Sequence, residues 1–261
     1  MTDVIYRIPT WLLGVLIVGL AAGLSMLGLV VVHRLVPLER RRPHNDVAGY
    51  LSNIAAFVYA VLLAFIAVAV WQDYGTAQST SQLEANAASD IYRQAGGYPE
   101  PIRGRVRDGI RVYVEATMRQ WGREATGQFG DEASRALQIL HGDLLQFEPH
   151  GVREELVHRQ QLHDMSRLLD QRRNRIFAAG SGLNPVTWSV ILCGSVLIVT
   201  FVYFMGTGSL RAHLAMTAIL GASIGLVIFL IVAMDYPFRG DIGIKPHALE
   251  DVLKGIRRGM Y

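Results

Sequence analysis

The side chains best suited to chemistry are four histidines, His141, His150, His158 and His163, and the acids Glu154 and Glu155 beside Arg153 and Arg159. Two ligands on one helical face need a spacing of three or four, and His158 and His163 are five apart. They read as exposed or capping histidines. The acids and arginines read as ion pairs on a solvated helix face. There is no phosphate-binding glycine loop, no zinc motif and no nucleophile elbow. The residues therefore point to no catalytic group, no metal site and no cofactor, and an enzyme is not expected. Ion-coupled transport would need ionisable groups at membrane depth. None of the apolar runs carries one in its middle, and Asp73 and Asp235 sit at run ends where water reaches them. The polar residues inside the runs, such as Ser25, Ser52, Asn53, Tyr59, Ser195, Thr200, Thr217 and Ser223, read mostly as packing residues bonded to backbone.

The elements that hold these residues are set by composition. Half of the 261 residues are hydrophobic, and the mean hydropathy is positive. That composition fits a membrane protein with one sizeable polar part. Cys193 is the single cysteine, so no intrachain disulfide forms. The net charge is only +3, with Lys245 and Lys254 the only lysines and no basic stripe, so nucleic acid is not an expected partner.

Four apolar runs predict four spans: Trp11–Val32, Gly49–Trp71, about 186–205 and about 214–234. In the first, Gly14, Gly19, Gly23 and Gly28, with Ala22 and Ser25, predict close helix packing. The second carries a stripe at steps of four, Asn53, Phe57, Val61 and Phe65, and a small-residue face, Ala56, Ala60, Ala64 and Ala67. Residues 72–182 are polar with helical periodicity. Leu83, Ala87 and Ile91 precede the Gly96, Gly97, Pro99 break. Ile102, Val106, Ile110, Tyr113, Val114 and Thr117 follow, then Ala136, Leu137, Leu140, Leu144 and Leu145, then Val152, Leu156, Leu162, Met165, Leu168, Leu169 and Ile176. The fold expected is an all-α membrane protein with four transmembrane helices and a helical cytosolic insertion between spans two and three. Its domains are 1–71, 72–182 and 183–261, the last with a cytosolic tail bearing a short helix near 247–258.

Four spans put both termini and the insertion on one side. That side carries Arg7, Arg167, Arg172, Arg173, Arg175, Arg239, Lys245, Lys254, Arg257 and Arg258, against Arg34, Arg40, Arg41, Arg42 and Arg211 on the other. The excess places the termini and insertion in the cytoplasm.

Two stretches carry a family likeness: His44-Asn-Asp-Val-Ala-Gly-Tyr50 leading into Tyr59–Phe65 and Ala69-Val-Trp71, and Asp235-Tyr-Pro-Phe-Arg-Gly-Asp241 after the last span. Together they resemble the bacterial and plant bestrophin-like membrane proteins, over nearly the whole chain. The link to true bestrophins is more remote. Those are pentameric ion channels whose second span lines the pore and narrows it at a hydrophobic neck, and whose last span is followed by a Pro-Phe-Gly segment. The resemblance implies a bacterial inner-membrane homo-oligomer, a pentamer, conducting chloride or monovalent cations, with the lipid bilayer and its own copies as partners. It implies a neck at Phe57, Val61 and Phe65, with Asn53 one turn outward, and a post-membrane turn at Asp235, Pro237, Phe238, Gly240 and Asp241. The acidic run that follows this segment in calcium-gated bestrophins is missing after Asp241, and the Arg-Trp-Trp-type signature is missing after Trp71. Calcium activation is therefore not carried over. The alternative is a non-conducting membrane scaffold or sensor whose helical cytosolic part binds a partner, the stripe on span two then being interhelix packing.

Overall fold

The computed structural model describes residues 5–37, 45–124 and 130–260, without the side chains of 46–48. Arg40, Arg41, Arg42, Pro43 and His44, and the side chains of Asp46, Val47 and Ala48, used above for sidedness and family likeness, lie outside the described residues. Among the described residues the chain is all-helical: α1 (Thr10–Leu35), α2 (Asn45–Gln94), α3 (Ile102–Glu124), α4 (Asp131–Leu145), α5 (Val152–Gly180), α6 (Pro185–Tyr203), α7 (Leu210–Met234) and α8 (His247–Arg257). Four of these helices are long and apolar enough to cross a membrane.

The apolar pattern ends at Trp71, but α2 does not. No Gly–Gly or Pro break occurs before Gly96 and Gly97, and the stretch 77–88 is alanine-rich, so the helix runs on to Gln94.

The chain divides into two compact units. The first is Met1–Gln72, Gly182–Asp235 and Gly240–Ile242. Here α1 and α7 pack tightly. A side chain at Gly221 would meet Ser25 Oγ at 2.5 Å, and one at Gly225 would meet Ala21 Cβ at 2.9 Å. Close approach thus comes chiefly from glycines on α7. On α1, Gly14 faces Phe229 and Gly28 faces Tyr203, while Gly19 and Gly23 meet nothing. The α2 segment packs through Tyr59, Leu63 and Val70 on Ile191, Ile198 and Ile231. Tyr59 lies against Gly194, where a Cβ would stand 2.3 Å away. Its hydroxyl donates to Ile191 O at 2.7 Å. Ala56 and Ala67 join this contact; Ala60 and Ala64 are exposed. Pro185 opens α6, whose first turn Asn184 caps through Thr187 N at 2.8 Å. Leu16, Leu20, Leu24, Val186, Leu197 and Ile219 remain exposed, as on helices solvated by lipid or by neighbouring copies.

The second unit is Asp73–Ser181, Tyr236–Arg239 and Gly243–Tyr261. Every stripe residue of α3 from Ile102 to Thr117 is buried, as are Ala136, Leu137, Leu140 and Leu144; Leu145 is exposed. On α5, Met165 and Leu168 are buried, but Val152 and Leu156 face out. Val157 packs inward instead, because Gly97 has no side chain: a Cβ there would meet Val157 at 2.9 Å. Leu83 is also exposed, and its neighbour Glu84 is fully buried. That inversion has an electrostatic cause, given below.

Candidate functional site

On α2, Phe57 is 71% exposed, Val61 40% and Phe65 72% within one chain, and Asn53 is exposed too. Tyr59, Leu63 and Val70 form the buried face. At 100° per residue those three centre about 200° around the helix from the stripe, nearly opposite it. Asn53, Phe57, Val61 and Phe65 therefore lie outside the buried cluster that α2 forms among the described residues. Ile54, Val58 and Leu62 widen the exposed arc on one side.

Within the second unit, α2 carries Gly75, Ser79, Gln82 and Asn86 along one side, all exposed and all uncharged. Gln82 Nε2 donates to Asn86 Oδ1 at 3.1 Å.

The Asp235–Asp241 stretch is a turn held at several atoms. Within the first unit, Asp235 caps α7 and its Oδ1 accepts from Leu183 N at 2.6 Å. Asp241 Oδ2 accepts from Thr10 N at 3.0 Å. A carboxylate there meets the unpaired amides and positive end of α1. Gly240 has φ +75°, which favours glycine. Within the second unit, Pro237 O accepts from Ile244 N at 2.8 Å. Phe238 is buried edge-on against Trp121, ring centroids 5.7 Å apart. Trp121 Nε1 donates to Ile244 O at 2.9 Å.

The sequence reading missed a buried ion cluster. Arg175, Glu84, Glu124 and Tyr113 each have at most 1% of their surface exposed. Arg175 Nε donates to Glu84 Oε2 at 2.5 Å and Nη1 to Glu124 Oε2 at 2.6 Å. Tyr113 donates a short bond to Glu84. The guanidinium lies 4.7 Å from the Trp121 ring centroid, a cation–π distance. Burial alone disfavours the Arg175 charge, yet Glu84 and Glu124 outweigh it and hold its pKa above the usual arginine value. Burial, then the Glu84 charge, pushes the Tyr113 phenol well up. This pairing explains why Glu84 turns inward and Leu83 outward. The partners are 91 and 51 residues apart, so no local pattern reveals them. Arg175, counted above as a charge near a span end, is an interior cation.

The histidines stay apart as ligands. His158 sits with Tyr98 and Phe147, its Nδ1 2.8 Å from the Tyr98 hydroxyl. Burial lowers its pKa and raises that of Tyr98. His213 is buried near the start of α7, with Nε2 3.1 Å from Val202 O. Among the described residues no three His, Cys, Asp or Glu side chains converge as a metal-binding group.

None of the curated proteins matches the chain. Two solved structures, both mutants of a bacterial bestrophin homologue from Klebsiella pneumoniae, share its fold. The first has a TM-score of 0.70 at 12% identity, covering 93% of this chain and 98% of that one. The second has a TM-score of 0.69 at 11% identity, covering 92% and 99%. The model of the bestrophin-like domain matches residues 19–249. An all-helical chain with four apolar helices, an outward stripe on the second and a pinned turn after the last thus belongs to the bestrophin-like family.

Proposed function

We propose that the protein is a homo-oligomeric ion channel, a pentamer, in which α2 from each copy faces a central axis. One observation carries this reading: Asn53, Phe57, Val61 and Phe65 lie on the exposed side of α2, away from the buried cluster of Tyr59, Leu63 and Val70 among the described residues. In a ring of copies that face either lines the axis or meets a neighbour. Stacked apolar rings at Phe57, Val61 and Phe65 resist wetting and narrow the path without any charge. Asn53 offers hydrated ions a polar ring at one end, and the uncharged side from Gly75 to Asn86 suits a wet conduit at the other. With no charged ring, the stripe leaves the permeant class as chloride or monovalent cations. A step of four drifts about 40° per turn, so α2 must tilt for all three apolar rings to share one axis.

In this reading the insertion 72–182 and both termini lie in the cytoplasm of a bacterium, and the spans lie in its inner membrane. Residues 1–71 and 183–261 then form the membrane domain and tail. Asp235, Pro237, Phe238, Gly240 and Asp241 serve as a structural turn at the membrane exit. Subunit count and symmetry of the detergent-solubilised protein test the assembly. A closed ring with α2 innermost is expected; a monomer, or a ring with α2 on its rim, overturns it. Ser134→Cys in a Cys193→Ser background should resist labelling from outside intact cells, and ready labelling would invert the topology.

A further inference from the structure

Within the first unit, α1, α6 and α7 enclose a groove of about 520 Å³, in the ~300–1,000 Å³ range of pockets that bury a small ligand. Its walls are Leu13 to Ser25 on α1, Leu192 to Tyr203 on α6 and Gly221 to Val232 on α7. Each wall is about 16–18 Å long by helical rise, and the walls are staggered: Ile5 lines one end and Tyr203, which packs at Gly28, the other, so the groove follows most of α1. Glycines shape it. Tyr203 reaches across to Gly28, and the small Gly221 and Gly225 draw α7 onto α1 as its floor.

The lining offers little to a polar occupant. Ser25, Ser195 and Thr200 each donate to a carbonyl one turn back, Ala21 O at 2.7 Å, Ile191 O at 2.8 Å and Val196 O at 2.7 Å. A hydrated ion or polar metabolite would lose its solvation there with little in return. One end of the groove is different. Ile5 and Val232 line it, and the Tyr6 hydroxyl donates to Val232 O at 2.8 Å. Next to them Arg7 is exposed and makes no ion pair among the described residues. Arg7 adjoins Tyr6 in the chain, and a cation beside that end of an apolar groove matches a phosphate with an attached hydrocarbon chain.

We propose that this groove is a phospholipid site. One acyl chain lies along α1, α6 and α7, and the lipid phosphate sits at Arg7, in the leaflet on the N-terminal side. The site does not depend on whether the protein conducts.

The test uses the purified full-length assembly with a phosphatidylglycerol carrying a diazirine in the middle of one acyl chain. Photolabelling is expected to mark peptides containing Leu13–Ser25 and Leu192–Tyr203, near one label per subunit. Unlabelled phosphatidylglycerol should compete, and inorganic phosphate should not. Val196→Trp fills the groove and should cut labelling several-fold. Leu197→Trp, exposed but outside the lining, should label like the parent. Arg7→Gln, at an exposed position, should lower retention of the lipid several-fold and supplies a second reading if Val196→Trp fails to assemble. Even labelling of all lipid-facing peptides, labelling unchanged in both variants, or competition by inorganic phosphate would overturn the site. So would an intersubunit disulfide at Val196→Cys in a Cys193→Ser background, which would put a second copy in the groove.

Discussion

Removing the guanidinium of Arg175 should be the most damaging single change in the second unit. Arg175→Met keeps much of the side-chain volume but deletes three donated bonds, to Glu84 at 2.5 and 3.2 Å and to Glu124 at 2.6 Å. Glu84 and Glu124 are then left inside without that partner. Arg172 stands 3.8 Å from Glu124 and makes no ion pair with Glu84 among the described residues. Breaking a buried pair in this way costs about 3–5 kcal/mol. The lost stacking on Trp121 adds roughly 0.5–2 kcal/mol. For a unit of this size the unfolding midpoint should fall by on the order of 10 °C or more. Trp121 is the natural probe: it touches Arg175 and Phe238, so a thermal melt followed by tryptophan fluorescence in detergent reads the loss directly. The triple change Glu84→Leu, Glu124→Leu, Arg175→Met removes all three charges together and should recover most of it. A shift under about 1 kcal/mol for Arg175→Met alone would refute the reasoning, because such small effects belong to exposed pairs.

Phe238→Ala empties a buried site against Trp121 and should cost about 3–5 kcal/mol in the same melt; an unchanged melt would show that the ring is not packed as described. Asp241→Ala removes the carboxylate from Thr10 N and should destabilise by roughly 1 kcal/mol, whereas Asp241→Asn should retain most of it. The lowered His158 pKa gives a sign in pH. The folded protein holds this histidine neutral where the unfolded chain, with its value near 6.5, is already protonated. Stability should be full above that value, decline as pH falls through it, and level off once folded His158 protonates as well. The difference between parent and His158→Gln melts should follow that curve, and a pH-independent difference would contradict it.

The sequence makes the spans legible because about twenty consecutive apolar residues have few alternatives to a membrane helix. The α3 stripe is legible because its period matches the helix at every position from Ile102 to Thr117. The length of α2 is harder to see. Composition changes at Trp71, but backbone propensity does not, and the helix follows propensity. The partners of small residues are also hidden. Gly19 and Gly23 look like packing glycines and meet nothing, while Gly221 and Gly225 on a distant helix do the work. The Arg175 cluster and the lipid groove join segments far apart in the chain, and only tertiary packing brings them together. For the stripe at Asn53, Phe57, Val61 and Phe65, step-of-four arithmetic shows that the residues share a face. Which face Tyr59 and Leu63 leave outward requires the fold.

Whether the outward face of α2 forms a channel neck is tested most directly by chloride and potassium flux in liposomes, with oligomer size measured on the same sample, for Phe57→Ala combined with Val61→Ala. With smaller rings the assembly should stay intact and the flux should rise several-fold above the parent protein. A loosened or dissociated assembly with flux at background would show that Phe57 and Val61 are packing residues between copies, and would contradict the neck.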